Sequence, residues 1–151
     1  RMLWINSGYL AGDDTDSHVD TLARFCDEKA IAYVKCDDEN DEHYDALKAM
    51  EEEIKAFRTT DGEPYRLVPL PMADYVEEDG ERLPATYANF LIVNGAVLVP
   101  TYNSEKKDAE ALAQMKIAFP DREIVGIDCS ALICQHGSLH CITMQYPEGV
   151  L

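Results

Sequence analysis

The sequence predicts an α/β fold built from a strand–strand–helix–strand unit that occurs twice. Two β-hairpin patterns, LARFCDEKAIAYVKC and YANFLIVNGAVLVPTYN, begin at Leu22 and Tyr87. Each is followed by an acidic loop, an amphipathic helix pattern and a short apolar strand pattern. Because the same order of elements repeats within 151 residues, the chain 1–151 is expected to form a single domain or one piece of a domain.

The first unit covers about residues 15–72. Its hairpin is predicted to turn at 27–29, and its helix lies in the segment DEHYDALKAMEEEIKAF, which starts at Asp41. Apolar residues recur in that segment at spacings of three and four and therefore share one helix face. These residues are Leu47, Met50, Ile54 and Phe57. A strand is predicted at 65–72, after turn-forming residues end the helical pattern.

The second unit covers about residues 83–128 and follows the same plan. Its hairpin turns at Asn94–Gly95, a dipeptide typical of type I′ turns. One face of its helix carries apolar residues at helical spacing: Leu112, Met115 and Phe119. A strand follows at 123–128, and the polar, turn-rich segment 73–85 is predicted to connect the two units.

A last strand is predicted at 137–146, where the pattern is similar to the opening strand of each unit. Aligning the opening strands puts His18 and Cys141 at equivalent places, near the start of their strands. If the units are arranged around an axis, these strand starts would meet near its centre and could form a shared site. If the units stack in a line, His18 and Cys141 would stay apart.

The chain is strongly acidic, with 29 Asp and Glu residues against 13 Lys and Arg and a formal net charge of −16. Nucleic-acid binding is therefore not expected, because contacts to phosphates rely on Lys and Arg. A cationic small molecule would be attracted instead, although acidity can equally serve solubility. No apolar run is long enough to cross a bilayer, so no membrane association is expected either.

The five cysteines indicate a reducing compartment, because their number is odd and their spacing fits no secreted disulfide scaffold. We therefore expect a cytoplasmic protein with free thiols. The chain opens at Arg1 within an apolar, strand-like stretch and has no leader pattern there. This opening suggests a piece of a longer protein. Assembly into a homo-oligomer stays open.

Cys141 and His18 could act together in nucleophilic catalysis. The thiolate is the nucleophilic form of cysteine, and a nearby histidine is the usual group that generates it and moves protons afterwards. The separation of the two residues in sequence is no obstacle, since they need to be neighbours only in the fold. A cysteine in a strand can equally be a small buried hydrophobic residue.

Asp20 would face the same space as His18 if the HVD triplet lies on a strand, because residues i and i+2 share a face. A carboxylate there could accept two N–H bonds from a planar guanidinium group. The alternative is that Asp20 only orients His18 or caps a turn.

Two clusters could be metal sites. Asp13, Asp14 and Asp16 offer the oxygen ligands that hard cations prefer. Their run lacks the glycine and glutamate of an EF-hand loop, and turn formation explains it equally well. Soft zinc ligands are also present: Cys129, Cys134, His136, His140 and Cys141. Their spacing matches no common zinc motif, and His140 and Cys141 would point to opposite faces of a strand, so no metal is predicted.

Three segments resemble motifs of agmatine deiminases. TDSHVDTLARF, from Thr15, is similar to their T-D-G-H-V-D-x-x-A-R-F motif, with Ser17 at the place of a glycine. RLPATYANFLIVNGAVLVPTYN, from Arg82, resembles their R-L-P-A-S-Y-x-N-F segment and the strands that follow it. EIVGIDCSALICQHGSLHCITMQ, from Glu123, is similar to the stretch that ends in G-G-G-G-I-H-C-I-T-Q-Q, although QHGS replaces part of the glycine run. The three segments lie in the family's order and cover nearly the whole chain.

This resemblance implies a pentein fold, in which five ββαβ blades surround a pseudo-fivefold axis with the active site at its centre. The chain would form a partial pentein of about two blades plus the last strand. The resemblance further implies that Cys141 is the nucleophile, His18 the general acid and base, and Asp20 the residue that binds the guanidinium group. The implied reaction hydrolyses agmatine to N-carbamoylputrescine and ammonia without a cofactor.

Two family motifs have no counterpart in the chain. These are W-x-R-D-x-G-P, whose aspartate also binds the guanidinium group, and E-G-G, whose glutamate partners the histidine. The resemblance thus implies that the chain is the C-terminal half of the enzyme, that it needs the N-terminal half, and that alone it has little or no activity. Two alternatives stay open: a non-catalytic binding or zinc-holding module, and a deiminase of arginine or peptidyl-arginine.

Overall fold

A computed structural model of the protein describes residues 1–14, 18–146 and 149–150. Its strands and helices follow one another as β1 (Ala23–Asp27), β2 (Ala30–Lys35), α1 (Tyr44–Ala56), β3 (Arg66–Pro71), β4 (Glu77–Glu78), β5 (Glu81–Arg82), β6 (Leu91–Val93), β7 (Ala96–Thr101), α2 (Glu105–Ala118) and β8 (Glu123–Asp128). Short turns of 3-10 helix occur at Val19–Thr21 and Ile133–Gln135. Neither α1 nor α2 has the length and apolar character that a bilayer-crossing helix would need.

The predicted α/β fold with two ββαβ units is confirmed, and both units have the same topology. In the first, β1 pairs antiparallel with β2, and β2 pairs parallel with β3. In the second, β6 pairs antiparallel with β7, and β7 pairs parallel with β8. The second hairpin turns at Asn94–Gly95 as expected, but only Gly95 has a positive φ, of 80°. The turn is therefore not of type I′, which needs a positive φ at both residues.

One continuous hydrophobic core joins the two units. α1 buries Leu47, Met50 and Ile54, three of the four residues predicted to share its inner face. α2 packs against β8 of its own unit and also against β3 of the first unit. Because one helix contacts both sheets, the two units are held in a fixed relative orientation.

The predicted last strand at 137–146 is wrong, since the chain makes turns and irregular structure there. The backbone N–H groups of His140 and Cys141 donate to Oδ1 of Asn89, at 3.0 and 3.3 Å, and the His140 N–H also reaches the Asn89 carbonyl at 3.3 Å; neither donates to a strand. The N–H of Thr143 donates back to the carbonyl of His140 at 3.1 Å. A buried backbone group takes whatever acceptor is available. Here the acceptor is a side chain, and the chain bends around it.

Residues 18–21 also differ from the expected strand. Val19–Thr21 form a turn of 3-10 helix, in which the N–H of Leu22 donates to the carbonyl of Val19 at 3.0 Å. The alternation of faces assumed for His18 and Asp20 therefore does not apply, because the extended strand begins only at Ala23.

Two further segments differ from their expected local structure. The apolar, strand-like stretch at residues 1–5 is not a strand, and Trp4 is 69% exposed. The connecting segment 73–85 contains a small hairpin, in which β4 pairs with β5. Its turn residues Asp79 and Gly80 have φ values of 52° and 84°. The positive values at both positions are those of a type I′ turn.

Candidate active site

Asp20 and Cys141 lie 121 positions apart in the chain and meet in the fold, with the Cys141 Sγ 3.7 Å from Oδ2 of Asp20. Asp20 belongs to the 3-10 turn that precedes β1, and Cys141 to the turns that follow the second unit. The two segments that the sequence placed at equivalent positions thus come together, although neither residue is in a strand.

Asn89 links Asp20 to Cys141. Its side chain is fully buried. Its Nδ2 donates to Oδ2 of Asp20 at 3.1 Å and lies 3.2 Å from the Sγ of Cys141. Its Oδ1 accepts the backbone N–H groups of both His140 and Cys141. One amide side chain therefore sets the position of the thiol relative to the carboxylate.

His140 is the second polar partner of Asp20, with its Nδ1 2.7 Å from Oδ2. Because a carboxylate accepts, the hydrogen bond assigns the proton to Nδ1 of His140. Partial burial works to raise the pKa of Asp20, but the hydrogen bond and charge of His140 and the hydrogen bond from Cys141 outweigh it. The pKa of Asp20 therefore lies below its ordinary value, and the carboxylate is ionised at neutral pH.

The Cys141 thiol is protonated at neutral pH in this arrangement. Although Cys141 is exposed as a residue, protein atoms around its sulfur partly desolvate it, which raises its pKa; the negative charge of Asp20 adds to that effect, and hydrogen bonds with the Ser138 backbone and the Asn89 amide oppose it. A cation placed beside Asp20 would offset the carboxylate charge and lower the pKa of the thiol. The site is therefore suited to forming a thiolate when a positive ligand is present.

A buried hydrogen-bond chain fixes the segment that leads to Cys141. The Oγ of Ser138 lies 2.7 Å from the hydroxyl of Tyr102, which donates to the carbonyl of Thr86 at 3.0 Å. The hydroxyl of Thr86 donates in turn to the carbonyl of Thr21 at 2.8 Å. This chain connects the Cys141 segment with the 3-10 turn of the site. Ser138, which stands in the QHGS segment where the family has a glycine, therefore adds a hydrogen bond that holds this segment in place.

A cavity of about 790 Å³ lies beside these residues. His18, Asp20 and His140 line it, together with Arg24 and an apolar wall that includes Trp4. His18 is exposed, and none of the residues that the structure describes hydrogen-bonds its imidazole. The structure thus places His18 and Asp20 on the same cavity without bringing His18 into hydrogen-bond contact with the thiol.

Arg24 is a charged residue of this cavity that sequence reasoning did not select. Its guanidinium carbon lies 4.5 Å from the centroid of the Phe90 ring, and its Nη1 donates to the Phe90 carbonyl. Burial lowers the pKa of Arg24, and the negative charge of Asp20 works against that shift. The stacked guanidinium is therefore a fixed positive charge close to the candidate site.

Asn89 was not expected in the site, and the His140 side chain was expected to point away from that of Cys141. His140 and Cys141 both reach Asp20, because they lie in a turn and not on opposite faces of a strand. One feature of the sequence could have indicated Asn89: it is an amide within the otherwise apolar segment 87–91. A buried amide needs several hydrogen-bond partners, so such a residue is a candidate for organising its surroundings.

The metal alternatives gain no support from the geometry. Within residues 1–14, 18–146 and 149–150, no three His, Cys, Asp or Glu side chains gather in a way that could hold a metal ion. Among the sulfur ligands considered, Cys129 is buried, whereas Cys134 and Cys141 are exposed. Asp16 of the acidic run and Ser17 of the first motif lie outside the described residues.

Comparison with known proteins agrees with the motifs. The family model of Porphyromonas-type peptidyl-arginine deiminases matches residues 1–147. A relative from Marinomonas sp. (strain MWYL1), provisionally described as an agmatine deiminase, is 32% identical over 165 residues, which cover 98% of this chain and 44% of the relative. The chain thus spans less than half the length of the curated relatives that it matches.

Solved structures of described deiminases also match nearly all of this chain with less than half of their own length. A Porphyromonas gingivalis structure provisionally described as an arginine deiminase is 64% identical with a TM-score of 0.91, covering 95% of this chain and 42% of that one. A cysteine-to-serine variant of agmatine deiminase from C. jejuni with substrate bound is 41% identical with a TM-score of 0.83, covering 91% and 39%.

Proposed function

The chain belongs to the Porphyromonas-type peptidyl-arginine deiminase family, and from that premise we propose that it supplies the cysteine side of a deiminase active site. Its fold is that of a partial pentein with two ββαβ units, as the match to deiminase structures indicates. One observation carries the proposal: the Cys141 Sγ lies 3.7 Å from the Asp20 carboxylate, which lines an open cavity. A guanidine hydrolase needs a thiol and a carboxylate on one planar cation.

In the proposed reaction Asp20 holds the guanidinium group of the substrate. The Cys141 thiol passes its proton to His18 through water, and the resulting thiolate attacks the central carbon of the guanidinium group. The bond from Sγ to that carbon forms, and a carbon–nitrogen bond breaks as His18 protonates the departing ammonia. His18 then takes a proton from a water molecule, which attacks the same carbon. The carbon–sulfur bond breaks, and the product is a urea with the thiol restored. Ammonia is released, and no electrons are gained or lost.

The charge distribution supports activation by the substrate itself. The raised pKa of Cys141, due chiefly to desolvation and further to Asp20, keeps the thiol unreactive when no substrate is bound. The guanidinium charge would offset Asp20 and shift the thiol toward the thiolate. This sequence of events would restrict the reactive form to the complex with substrate.

Agmatine is the first proposed substrate, because the three motifs resemble those of agmatine deiminases and curated relatives carry that description. Arginine or peptidyl-arginine is the second candidate. It is favoured by the higher identity, 64% and 56%, to structures provisionally described as arginine and peptidyl-arginine deiminases. The guanidinium group is common to all three, so Asp20 and Cys141 would serve each of them.

We further propose that this chain acts together with the remaining part of a longer polypeptide. The chain covers 44% of a related sequence and 42% of a related structure. The motifs with a second guanidinium-binding aspartate and with the glutamate partner of His18 have no counterpart in it. By this proposal the chain alone has little or no activity.

Ammonia release from agmatine, arginine and a peptide ending in arginine tests the function in the complete polypeptide. We expect one of them to be hydrolysed, with Cys141→Ser and His18→Ala each lowering kcat by about three orders of magnitude or more. Cys134→Ser is the matched control, because that thiol is exposed and outside the site. Turnover that persists in Cys141→Ser, or that is lost equally in Cys134→Ser, would refute the assignment.

A further inference from the structure

Backbone contacts hold His140 firmly on both sides. Its N–H donates to Oδ1 of Asn89 at 3.0 Å, and its carbonyl accepts from the N–H and the hydroxyl of Thr143, at 3.1 and 2.9 Å. Its side chain is 29% exposed, and Nδ1 points to Asp20. A side chain on a backbone fixed in this way is well placed to orient another group.

The side-chain partners of Asp20 among the described residues all use the same oxygen. Asn89, His140 and Cys141 approach Oδ2, at 3.1, 2.7 and 3.7 Å. No side chain among the described residues hydrogen-bonds Oδ1, the one further hydrogen bond to the carboxylate comes from the backbone N–H of Asp20 itself, and Asp20 lines the cavity. The carboxylate is thus anchored by one oxygen and has the other available for a ligand.

We propose that His140 is a positioning residue of the deiminase site: its Nδ1–H holds Oδ2 of Asp20 so that Oδ1 is presented to the guanidinium group. This inference rests on the proposed function. The shortest of the three contacts to Oδ2 is the one from His140, and a charge-assisted hydrogen bond of that length constrains the plane of the carboxylate. Recognition of a planar cation depends on that plane.

This role differs from the one proposed for His18. His18 is exposed, and no described residue hydrogen-bonds its imidazole, so the ring can exchange protons with a ligand or with water. Nδ1 of His140 is already engaged by Asp20. The two histidines of the cavity would therefore divide the work, with one moving protons and the other orienting a carboxylate.

Alkylation of Cys141 by two matched reagents tests the role without requiring turnover. Chloroacetamidine is a cation of guanidinium-like shape, and chloroacetamide is its neutral counterpart with the same leaving group. Both need the thiolate, so the ratio of their second-order rate constants in the complete polypeptide cancels the thiol pKa and reports recognition of the cation by Asp20. Labelling is located by peptide mass spectrometry.

We expect His140→Phe, which keeps a ring but has no donor, to lower this ratio about tenfold. His140→Asn should restore most of it, because its Nδ2 can donate from nearly the position of Nδ1. His136→Asn is the control: this neighbouring histidine lies outside the cavity lining and has a φ of 65°, which asparagine tolerates.

Each outcome separates the two proposals. An unchanged ratio in His140→Phe, in protein whose unfolding midpoint equals that of the wild type, overturns the positioning role and leaves the deiminase function standing. An equal fall of the ratio in His140→Phe and His140→Asn also overturns the positioning role, because a hydrogen-bond donor at this place would then not be enough to restore recognition of the cation. A wild-type protein that does not favour the cationic reagent overturns the proposed function, and this inference with it.

Discussion

Gly137 lies directly against Cys141: a Cβ atom added at position 137 would come within 2.8 Å of the Cys141 Cβ and 3.3 Å of its Sγ. Such a contact is too short for two carbon atoms, so one of the two residues would have to move. We expect Gly137→Ala to displace the thiol and to cost about 1 to 3 kcal/mol of stability. The alkylation rate of Cys141 and urea unfolding measure these two effects.

Gly62→Ala is the control for a general effect of losing a glycine. Gly62 has a φ of 86°, and a Cβ there would meet nothing within 4 Å. The added methyl group should cost about 1 kcal/mol through backbone strain alone and should leave Cys141 labelling unchanged. Wild-type labelling in Gly137→Ala would contradict the close packing of the two residues.

Asp20→Asn should change the reactivity of Cys141 by different amounts toward neutral and cationic reagents. Burial is the largest cause of the raised pKa of this thiol, and the charge and hydrogen bond of Asp20 raise it further. Removing the charge should lower that pKa, so chloroacetamide reacts about two- to tenfold faster at pH 7. The cationic chloroacetamidine no longer finds a negative charge beside the thiol. Its alkylation rate should therefore rise less than that of chloroacetamide, or fall. The pH dependence of both alkylation rates measures the effect.

Asp14→Asn is the matched control for that experiment. Asp14 is exposed and does not line the cavity, so its charge is screened by solvent. We expect both alkylation rates to stay within about twofold of the wild type. Slower reaction of chloroacetamide with Asp20→Asn would show that the carboxylate activates the thiol and does not suppress it.

The repeated units could be predicted because their patterns are local. Leu47, Met50 and Ile54 recur at helical spacing and are all buried, and Asn94–Gly95 separates two short apolar runs. Periodicity and turn dipeptides depend only on sequence neighbours. The segment 137–146 has a strand-like pattern too, but the backbone N–H groups of His140 and Cys141 bond to Asn89, 51 and 52 positions earlier and outside any strand. No local pattern reports such a partner.

The candidate site was predictable only in part, for a related reason. The motifs pointed to Cys141 and Asp20, and these are in contact. Asn89 and His140 were not selected, because their importance lies in hydrogen bonds that exist only after distant segments have met. The argument that His18 and Asp20 share one face of a strand also does not hold, because a 3-10 turn forms at Val19–Thr21.

His43 is expected to hold the segment that precedes the site. Its fully buried ring stacks on Tyr9 with centroids 5.1 Å apart, its Nε2 accepts the N–H of Ala11 at 2.8 Å, and its Nδ1 lies 2.5 Å from Asp41. His43→Ala removes the ring and leaves the Ala11 amide without its acceptor. The free energy of unfolding should fall by about 2 to 4 kcal/mol.

Hydrogen exchange distinguishes this local role from a general loss of packing. The Ala11 amide should exchange about tenfold faster or more in His43→Ala, even where amides of β2 keep their protection. His136→Asn changes another histidine that contacts this segment, through the Gly12 carbonyl at 2.8 Å, but the His136 side chain is only half-buried. Its effect on stability should stay below about 1 kcal/mol. Unchanged exchange at Ala11 in His43→Ala would exclude the anchoring role.

Glu51 should make the stability of the protein depend on pH below the ordinary range of glutamate. Its largely buried carboxylate accepts from the Tyr33 hydroxyl at 2.9 Å and pairs with Lys48 and Lys55 at 3.2 and 3.1 Å. Burial works to raise the pKa of Glu51, but the hydrogen bonds from Lys55, Tyr33 and Lys48 outweigh it and hold the pKa below 4.5. Because the pKa is lowered by folding, the stabilisation is complete above about pH 4.5 and is lost as the pH falls through the folded value. Glu51→Gln should therefore cost about 1 to 3 kcal/mol at pH 7, with a smaller difference from the wild type at pH 3.

Glu52→Gln supplies the comparison for this pH dependence one residue away on α1. Glu52 is 61% exposed, and it forms an ion pair with Lys55 at 2.8 Å. Exposed pairs of this kind contribute about 0.5 kcal/mol or less, so urea unfolding should give nearly the same free energy as the wild type at both pH values. Burial and the Tyr33 hydroxyl are what distinguish Glu51 from its neighbour. If the difference between Glu51→Gln and the wild type stayed constant from pH 7 to pH 3, the buried carboxylate would not be the group that titrates.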